Sequence, residues 1–470
     1  MRTTSATAAA LAVAVLPMRA ETFHKVQTEV RDRSGADIRW EKEMGAREET
    51  AAVVAKLLRK PLTVASAVQI ALLNNRGLQA TFGEIGIAQS DVIEAVTVPN
   101  PSVDFDVQFP VVAAQMNRYG WLVAQEFVQI LMVPLKRKMA EERLEAAELR
   151  VAAETLRLVA EVKAAYFTYQ GEQQLLARLQ IIQETNAAAL DLAQKQFEAG
   201  NITDFALLQS QSGYSQGRLD LAKAETDLRS QREKLNRLLG LWGGDTDWEI
   251  KGDIMPIPDS GFTTKRLESL AVAQRLDLRA AHRDLTSVVS ALRLTKTYRW
   301  VPVLNMGFTG ERDIDGALNM GPSFSIELPI FNQGQPRIAR GEAQLRMAES
   351  RLEALAVDIR SEVRELRDRL LSLAEMAKYY HDDLLPTRIR MVNNAIVEYN
   401  AMQFSPYELF LAKSQELEAE RGYIDTLRDY WITRAELERA VGGTLTPRKQ
   451  APSLSKDNTV VKSTQKERKR

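Results

Sequence analysis

The chain contains no cysteine and only three histidines in 470 residues. Without thiols it can form no disulfide, no thiolate metal centre and no lipid anchor on an N-terminal cysteine. The histidines, His24, His282 and His381, are far apart in sequence and have none of the spacings typical of a metal site. Glycine-rich phosphate loops and nucleophile motifs are also missing. These absences argue against an enzyme and against a bound cofactor.

Long apolar runs and an excess of either charge are missing as well. After the first twenty residues, no apolar stretch reaches the roughly 18 residues that a spanning helix needs. Lys+Arg and Asp+Glu both number 62, so the chain has no long-range attraction for nucleic acid. If this chain crosses a membrane, it must therefore do so with β-strands.

The two ends differ in composition from the rest of the chain. Arg2 supplies positive charge, 8–16 form a short apolar core, and Ala20 is a small residue at a plausible cleavage point. We therefore expect a signal peptide at 1–20, followed by an N-terminal segment at 21–61. The polar region 443–470 is rich in Lys and Arg near its end, which is typical of a disordered tail.

The central part of the chain consists of two similar halves. The segment 197–208 resembles the segment 399–410, which lies 202 positions later, and the same offset pairs Gly240 with Gly442. An ordered series of such matches predicts a duplicated fold. Its predicted units are a first repeat at 62–240, a linker at 241–261 and a second repeat at 262–442.

Each repeat is predicted to contain a helix, two strands, a very long helix and a returning long helix. The long helix of the first repeat should run from about Pro134 to Phe197. Apolar residues recur every seven positions, as in Leu144, Val151, Leu158 and Ala165, and in Leu345, Leu352, Ile359 and Leu366. This period is typical of supercoiled helices. At 1.5 Å per residue the helices are on the order of 100 Å long, which indicates a rod or a tube.

The strands precede the long helices in pairs. Val103, Phe105, Val107 and Phe109 alternate with Asp104, Asp106 and Gln108, and Phe324, Ile326, Leu328 and Ile330 alternate with Ser323, Ser325, Glu327 and Pro329. Less regular strands are expected near 121–132 and 301–309, with loops at 114–120 and 310–321. Strands with one apolar and one polar face suit a transmembrane barrel, in which Asp104 and Asp106 would face the lumen. Four strands cannot close a barrel, so several copies must share one.

Short motifs in both repeats resemble a known family. They are Leu62-Thr63 followed by Ala67, Ala71, Leu72, Asn74 and Asn75; Val98-Pro99-Asn100-Pro101; Leu328-Pro329-Ile330-Phe331-Asn332-Gln333-Gly334; and Phe197-x-x-Gly200 followed by Leu207-Leu208. In this order and over 62–442, the chain is similar to the TolC-like outer-membrane efflux proteins. The resemblance implies a mainly α protein with a transmembrane β part.

The resemblance also implies an assembly. Three copies would form a 12-stranded β-barrel in the outer membrane on a 12-helix α-barrel in the periplasm. This homotrimer would dock with a periplasmic adaptor (membrane fusion) protein and an inner-membrane pump, of the resistance-nodulation-division (RND) type. It would be a passive, gated conduit for small molecules or metal ions. The Asn-Pro start and the Ala/Glu/Arg-rich long helices are more similar to the heavy-metal branch of the family.

Members of this family narrow the periplasmic tip with a ring of acidic side chains. By position, Glu408 and, in the first repeat, Asp204 are the gate candidates. Both could instead be ordinary acids at a helix N-terminus, where they are favourable against the helix dipole. The candidates for the tip turn and for adaptor contact are Gly200, Asn201, Phe205, Met402, Pro406 and Tyr407. Met402 departs from the family, which often has glycine there, and the two aromatics could equally pack the turn.

Two other functions remain open at this stage. The same architecture serves as the outlet of type I protein secretion systems. In a different class of protein, a periplasmic coiled-coil scaffold, the four alternating segments would pack on the chain's own helices. The sequence does not decide the exported substrate, the pump partner or the resting state of the gate.

Overall fold

A computed structural model describes residues 18–41, 44–109, 117–258, 266–300, 303–313, 315–401, 403–404 and 406–445. Most of the predicted signal peptide and tail lies outside this range, as does Met402. The first half contains helices α1 (Met18–Ser34), α2 (Met44–Leu58), α3 (Val64–Asn74), α4 (Arg76–Val96), α5 (Phe127–Glu198) and α6 (Asp204–Leu239), with strands β1 (Ser102–Gln108) and β2 (Arg118–Glu126). The second half contains α7 (Leu267–Gln274), α8 (Leu276–Thr297), α9 (Gln335–Tyr379), α10 (Leu385–Asn400) and α11 (Pro406–Val441), with strands β3 (Leu304–Arg312) and β4 (Leu318–Ile326).

This element order confirms the predicted fold class, a mainly helical chain with a small antiparallel sheet and two similar repeats. Positions of the predicted sevenfold pattern are buried, among them Val151, Leu158, Ile359 and Leu366. No helix within the described ranges combines the length and the apolar composition needed to cross a membrane.

The first helix of each repeat is interrupted at one residue. Asn75 (φ −66°, ψ 117°) separates α3 from α4, and Arg275 (φ −62°, ψ 127°) separates α7 from α8. In the first repeat Asn75 caps α4, because its Oδ1 accepts a hydrogen bond from the Leu78 N–H at 2.9 Å. The two interruptions lie 200 positions apart in the same extended conformation, as expected of a duplication.

A left-handed glycine ends the returning helix of each repeat. Gly240 has φ 69° and Gly442 has φ 87°. The Asn74 Nδ2 donates to the Gly240 carbonyl at 2.7 Å, and a Cβ at this glycine would lie only 2.6 Å from the Asn74 carbonyl oxygen. In the second repeat the corresponding bond comes from the N-terminal segment, because the Arg33 Nη1 donates to the Gly442 and Gln274 carbonyls at 2.7 Å each. The N-terminal segment therefore binds the C-terminal end of the second repeat through Arg33.

The sheet joins the hairpins of the two repeats in the order β1-β2-β3-β4, antiparallel throughout. Hairpin β1–β2 comes from the first repeat and β3–β4 from the second, and β2 pairs with β3. Gly310 lies under the Trp121 ring, where an added Cβ would approach the indole Cε2 to 2.4 Å. A glycine is therefore needed where the bulky ring crosses the neighbouring strand.

Several predicted boundaries are wrong. The first long helix begins at Phe127 rather than near Pro134, so this proline lies inside α5. The change from strand to helix occurs where the pairing of β2 with β3 ends, at Glu126 opposite Asn305. Strand β4 begins at Leu318 and ends at Ile326, so most of the predicted loop 310–321 is strand and 327–330 is not. Strand β3 starts at Leu304 opposite Ile326, and beyond this pair the Glu327 N–H donates to the Val303 carbonyl at 3.3 Å.

The second repeat contains an irregularity that the first does not. A π-helical turn at Tyr380–Leu384 separates α9 from α10, and Pro386 is the second residue of α10. In the first repeat α5 continues without interruption across the equivalent positions. A π turn accommodates an extra residue per turn, and proline removes a helical N–H donor. The predicted single long helix of the second repeat is therefore two helices.

A buried carboxylate lies where α1 packs on α5. Glu148 is 7% exposed and faces a cavity of about 350 Å³. Burial raises the pKa of Glu148 to about 7, Lys25 lowers it, and Glu145 raises it further. The other charged or titratable side chains that line the cavity are His24, Glu29 and Arg279.

The raised pKa of Glu148 predicts a pH-dependent stability. The folded-state pKa exceeds the ordinary value of 4.5, so the folded chain gains stability as the pH falls from about 7 towards that value. It loses this stability as the pH rises through about 7. Glu148→Gln should therefore raise the free energy of unfolding at pH values above about 7, by up to about 3 kcal/mol, and have little effect near pH 5.

The measurement is thermal unfolding followed by helical circular dichroism across this pH range. Glu184→Gln, an exposed position on the same helix, is the matched control and should leave the pH curve unchanged. If the Glu148→Gln variant showed the same pH dependence of stability as the wild type, the raised pKa would not belong to Glu148.

Candidate functional site

The sheet has two chemically different faces. In the strand register one face carries Asp104, Asp106, Gln108, Arg118, Asn305, Thr309, Glu311, Asn319, Ser323 and Ser325, with Leu122 and Ala124 as apolar exceptions. The other face carries Val103, Phe105, Val107, Tyr119, Trp121, Val123, Leu304, Met306, Phe308, Leu318, Met320, Phe324 and Ile326, with Gln125 and Arg312 as polar exceptions. The predicted lumen candidates Asp104 and Asp106 therefore lie on a polar surface that both repeats build.

Polar contacts link residues of this surface both across strands and within one strand. Arg118 forms an ion pair with Glu311 across β2 and β3. The Gln108 Nε2 donates to an Asp106 carboxylate oxygen at 3.0 Å. On the opposite face the apolar side chains are uncovered by the chain itself, since Phe105 is 80% and Phe324 is 66% exposed. The sheet thus presents apolar side chains outward on one side and a hydrogen-bonded polar surface on the other.

At the far end of the long helices, the first-repeat tip is a Schellman turn. The Asn201 N–H donates to the Gln196 carbonyl at 2.8 Å and the Gly200 N–H to the Phe197 carbonyl at 2.9 Å. Gly200 has φ 74°, with open space where a Cβ would be. After the turn, the Thr203 hydroxyl accepts from the Ala206 N–H and caps α6.

The gate and contact candidates of the first repeat come directly after this cap. Asp204 is the first residue of α6 and is exposed. Phe205 follows and is 69% exposed. Asp204 therefore has the position of a helix N-terminal acid, which is compatible with both of its readings.

The second-repeat tip has the same backbone pattern. The Gln403 N–H donates to the Glu398 carbonyl at 2.9 Å, and this bond matches Asn201–Gln196 at the offset of 202. Helix α11 then begins at Pro406, followed by Tyr407 and by Glu408, which is exposed. Of the remaining tip candidates, Met402 is outside the described residues.

A contact between the two repeats lies just beyond the tips. The Phe410 ring of α11 packs on Gly213 of α6, where an added Cβ would lie 3.2 Å from the Phe410 Cζ. The Tyr407 ring lies 6.4 Å from the Phe410 ring, centroid to centroid. This contact places the starts of α6 and α11, and hence Asp204 and Glu408, at the same end of the molecule. Sequence reasoning missed both Phe410 and Gly213.

Small residues also bring the two helices of the first hairpin close together. A Cβ at Gly217 of α6 would lie 2.5 Å from the Gln183 Oε1 of α5. The Asn186 side chain, 4% exposed, donates to the Gly213 carbonyl at 3.4 Å. The spacing of Gly213 and Gly217 places both on one helical face, and this spacing is the sequence signal that could have identified the contact.

A metal-binding cluster is not found in the part of the chain that the structure describes. No group of three or more His, Asp or Glu side chains there is arranged to hold a metal ion. The acidic candidates are instead distributed between the sheet, with Asp104 and Asp106, and the helical tip, with Asp204 and Glu408.

Comparison with known proteins identifies relatives of both the sequence and the fold. The family described as outer membrane efflux protein matches residues 67–241, which comprise most of the first repeat. The cobalt-zinc-cadmium resistance protein CzcC of Cupriavidus metallidurans is 22% identical over 395 residues, which covers 81% of this chain and 90% of that protein.

Solved structures are similar in fold across both repeats. The CmeC outer membrane channel of Campylobacter jejuni has a TM-score of 0.70 at 13% identity, covering 86% of this chain and 89% of that one. The outer membrane protein VceC of Vibrio cholerae has a TM-score of 0.66 at 14% identity, covering 84% of this chain and 97% of that one.

The contact of Phe410 with Gly213 should hold the second-repeat tip against the first. Phe410→Ala removes a partly buried ring, so we expect the first turns of α11 to open more readily, by about 1–2 kcal/mol. Amide hydrogen exchange of α11 should then be faster by on the order of tenfold.

Phe205→Ala is the matched control at the other tip, because that ring is largely exposed. It should leave the exchange rates of α11 as they are in the wild type. Equal exchange in the Phe410→Ala variant and the wild type would show that the contact does not stabilise the tip.

Proposed function

We propose that the chain is a member of the outer membrane efflux protein family, which matches residues 67–241, and that it is the outer-membrane channel subunit of a tripartite efflux system. One observation carries the proposal: a two-faced sheet with free edges lies at one end of helices far longer than a globular domain uses. Helix α5 alone has 72 residues, which corresponds to about 110 Å. The chain is a conduit and not an enzyme, and its place is the outer membrane.

The free edges of the sheet support a homotrimer. Within the described residues β1 and β4 each pair on one side only. In lipid, the unpaired backbone groups on their other sides would each cost several kcal/mol. Joining β1 of one copy to β4 of the next satisfies both edges. Three copies supply twelve strands, which leave room for a pore, whereas two supply eight and a filled interior.

In this arrangement each face of the sheet has a suitable environment. The apolar face that includes Phe105 and Phe324 contacts outer-membrane lipid, and the polar face that includes Asp104 and Asp106 lines the lumen. The exposed apolar face also weakens the case for a periplasmic scaffold. In a scaffold these side chains would have to pack on the chain's own helices, and they do not.

The long helices then extend through the periplasm towards a partner. We assign the tip turns at Gly200–Asn201 and around Pro406 to contact with a periplasmic adaptor, to which Phe205 and Tyr407 contribute exposed rings. An inner-membrane pump, of the RND type, supplies the energy. The relative CzcC is a cobalt-zinc-cadmium resistance protein, which favours divalent metal cations as the exported substrate. An outlet for protein secretion is the alternative within the same architecture.

The first experiment is extraction of the expressed protein from isolated outer membranes, followed by determination of its mass free of detergent. We expect a protein that needs detergent and behaves as a trimer, because single chains leave both sheet edges open. Ion conductance in planar bilayers is the second readout on the same sample. A monomer that washes off without detergent would exclude the channel and favour the scaffold.

The gate proposal concerns the acidic residues at the tip. Three copies of Glu408 at a constriction would attract cations and repel anions. Glu408→Gln should therefore lower the ratio of cation to anion permeability, on the order of fivefold if the energy difference between cation and anion at the constriction falls by about 1 kcal/mol. Asp204→Asn should have a smaller effect in the same direction.

The measurement is the reversal potential in planar bilayers, with potassium and with zinc salts. Glu418→Gln, an exposed carboxylate ten residues further along α11, is the control and should not change selectivity. Unchanged selectivity in Glu408→Gln would reduce this residue to an ordinary acid at a helix N-terminus.

A further inference from the structure

Four helices form a row beneath the sheet, with α4 and α9 at its two ends. Helix α4 also contacts α1, through the Phe82 and Phe23 rings, and α9 also contacts α7 and α11. Helix α4 packs on α5, α5 on α8, and α8 on α9. This order follows the strand order, because α4 leads into β1 and α9 follows β4. The outer sides of α4 and α9 are therefore the helical counterparts of the two free strand edges.

Helix α4 carries an exposed acidic stripe. Glu84, Asp91 and Glu94 recur with Ile87 at intervals of three, four and three residues, which places them along one side of the helix. All four are exposed, and Ile87 is 66% exposed. Within the described part of the chain, none of the three carboxylates forms an ion pair.

Helix α9 carries an exposed basic stripe of similar spacing. Arg337, Arg340 and Arg351 lie on one side together with Gln344 and Met347, at intervals of three and four residues. They border a groove of about 560 Å³ between α8 and α9. Among the described residues, none of these three guanidinium groups has a carboxylate partner.

We propose that the acidic stripe of one copy pairs with the basic stripe of the next, so that the boundary between copies is an electrostatic seam. The proposal rests on the trimeric channel proposed above and specifies what holds its helical part together. Both stripes begin at the helix ends nearest the sheet. Glu94 lies two residues before the end of α4 and Arg337 two residues after the start of α9, about 3 Å in each case.

The next charged pair also lies at equal distances from the helix ends nearest the sheet. Asp91 and Arg340 each lie five residues, about 7.5 Å, from those helix ends. If the strands of neighbouring copies join edge to edge, opposite charges therefore meet at equal depth.

The two stripes also point to the same surface of the row. On α4, Asp91 precedes the buried Val92 by one residue, and on α9, Arg351 precedes the half-buried Leu352. One residue turns the direction by about 100°. Helices α4 and α9 run in opposite directions and have their inner neighbours on opposite sides. The two reversals cancel, so both stripes lie on the same surface, beside the boundary.

Such a seam would determine which surfaces of neighbouring copies meet, more than how tightly they bind. Exposed ion pairs contribute little each, but like charges placed side by side disfavour a wrong contact. Pairing of α4 with α4, or of α9 with α9, would juxtapose like charges. Only the head-to-tail contact of α4 with α9 is complementary, and such a contact generates a ring when the rotation between copies closes.

The test is a charge swap. One variant carries Asp91→Arg with Glu94→Arg, a second carries Arg337→Glu with Arg340→Glu, and a third carries all four changes. The control is Arg346→Glu with Arg360→Glu. These arginines lie nine residues from Arg337 and Arg351, which is half a turn away on the same helix.

The readout is the ratio of trimer to monomer in detergent at low and high salt, with helical circular dichroism as the check on folding. Each two-residue reversal should lower this ratio on the order of tenfold at low salt, and the fourfold variant should restore it. The wild-type ratio should fall as salt is raised, and the control should match the wild type. If a reversed chain fails to fold, Asp91→Asn with Glu94→Gln should still give a smaller loss.

The outcomes separate this inference from the proposed function. A wild-type trimer whose ratio does not change in either reversal would overturn the seam and leave the channel intact. A fourfold variant that stays dissociated would equally overturn the pairing. A wild type that is monomeric at every salt concentration would instead remove the trimeric channel itself.

Discussion

The backbone groups along the outer edges of β1 and β4 constrain everything else about this molecule. Each strand pairs on one side only within the described chain, and an apolar environment tolerates no unpaired N–H or carbonyl groups. The sheet therefore requires neighbours that the single chain does not contain. In the channel that we propose, its apolar face contacts lipid, and its polar face, with the Arg118–Glu311 pair, contacts water. In the proposed trimer the helices beneath the sheet also contact neighbouring copies, through the outer sides of α4 and α9.

Much of the fold could be predicted because it is periodic. The period of two in Val103–Phe109 identified β1, and the period of seven identified the long helices. The boundaries that were predicted wrongly depend on which strands pair, and not on the local sequence pattern. Strand β4 alternates in sequence as far as Ile330 but ends at Ile326, because β3 begins opposite that residue. The π turn at Tyr380–Leu384 was missed for a similar reason, since one extra residue barely changes a hydrophobic pattern.

The candidate site likewise has features that the sequence predicted and features that it did not. The duplication predicted the matching turns at both tips, and the bonds Asn201–Gln196 and Gln403–Glu398 are equivalent in the structure. The contact of Phe410 with Gly213 was not predicted, because it joins different repeats and depends on the distance between two hairpins. The roles assigned to Asp204 and Glu408 depend on further copies of the chain and remain predictions. A sequence therefore reveals local turns more readily than the surfaces on which they meet.

The two helix ends at Gly240 and Gly442 are bound by segments that lie at very different distances along the chain. The first is closed by Asn74, within its own repeat, whereas the second is closed by Arg33, which is 409 positions away. Closing so long a loop is slow and cannot begin until nearly the whole chain is present. Arg33 is synthesised early and Gly442 late, so a chain truncated before Gly442 leaves Arg33 without this carbonyl. The contact of Arg33 with Gly442 therefore forms only in chains that extend to this glycine.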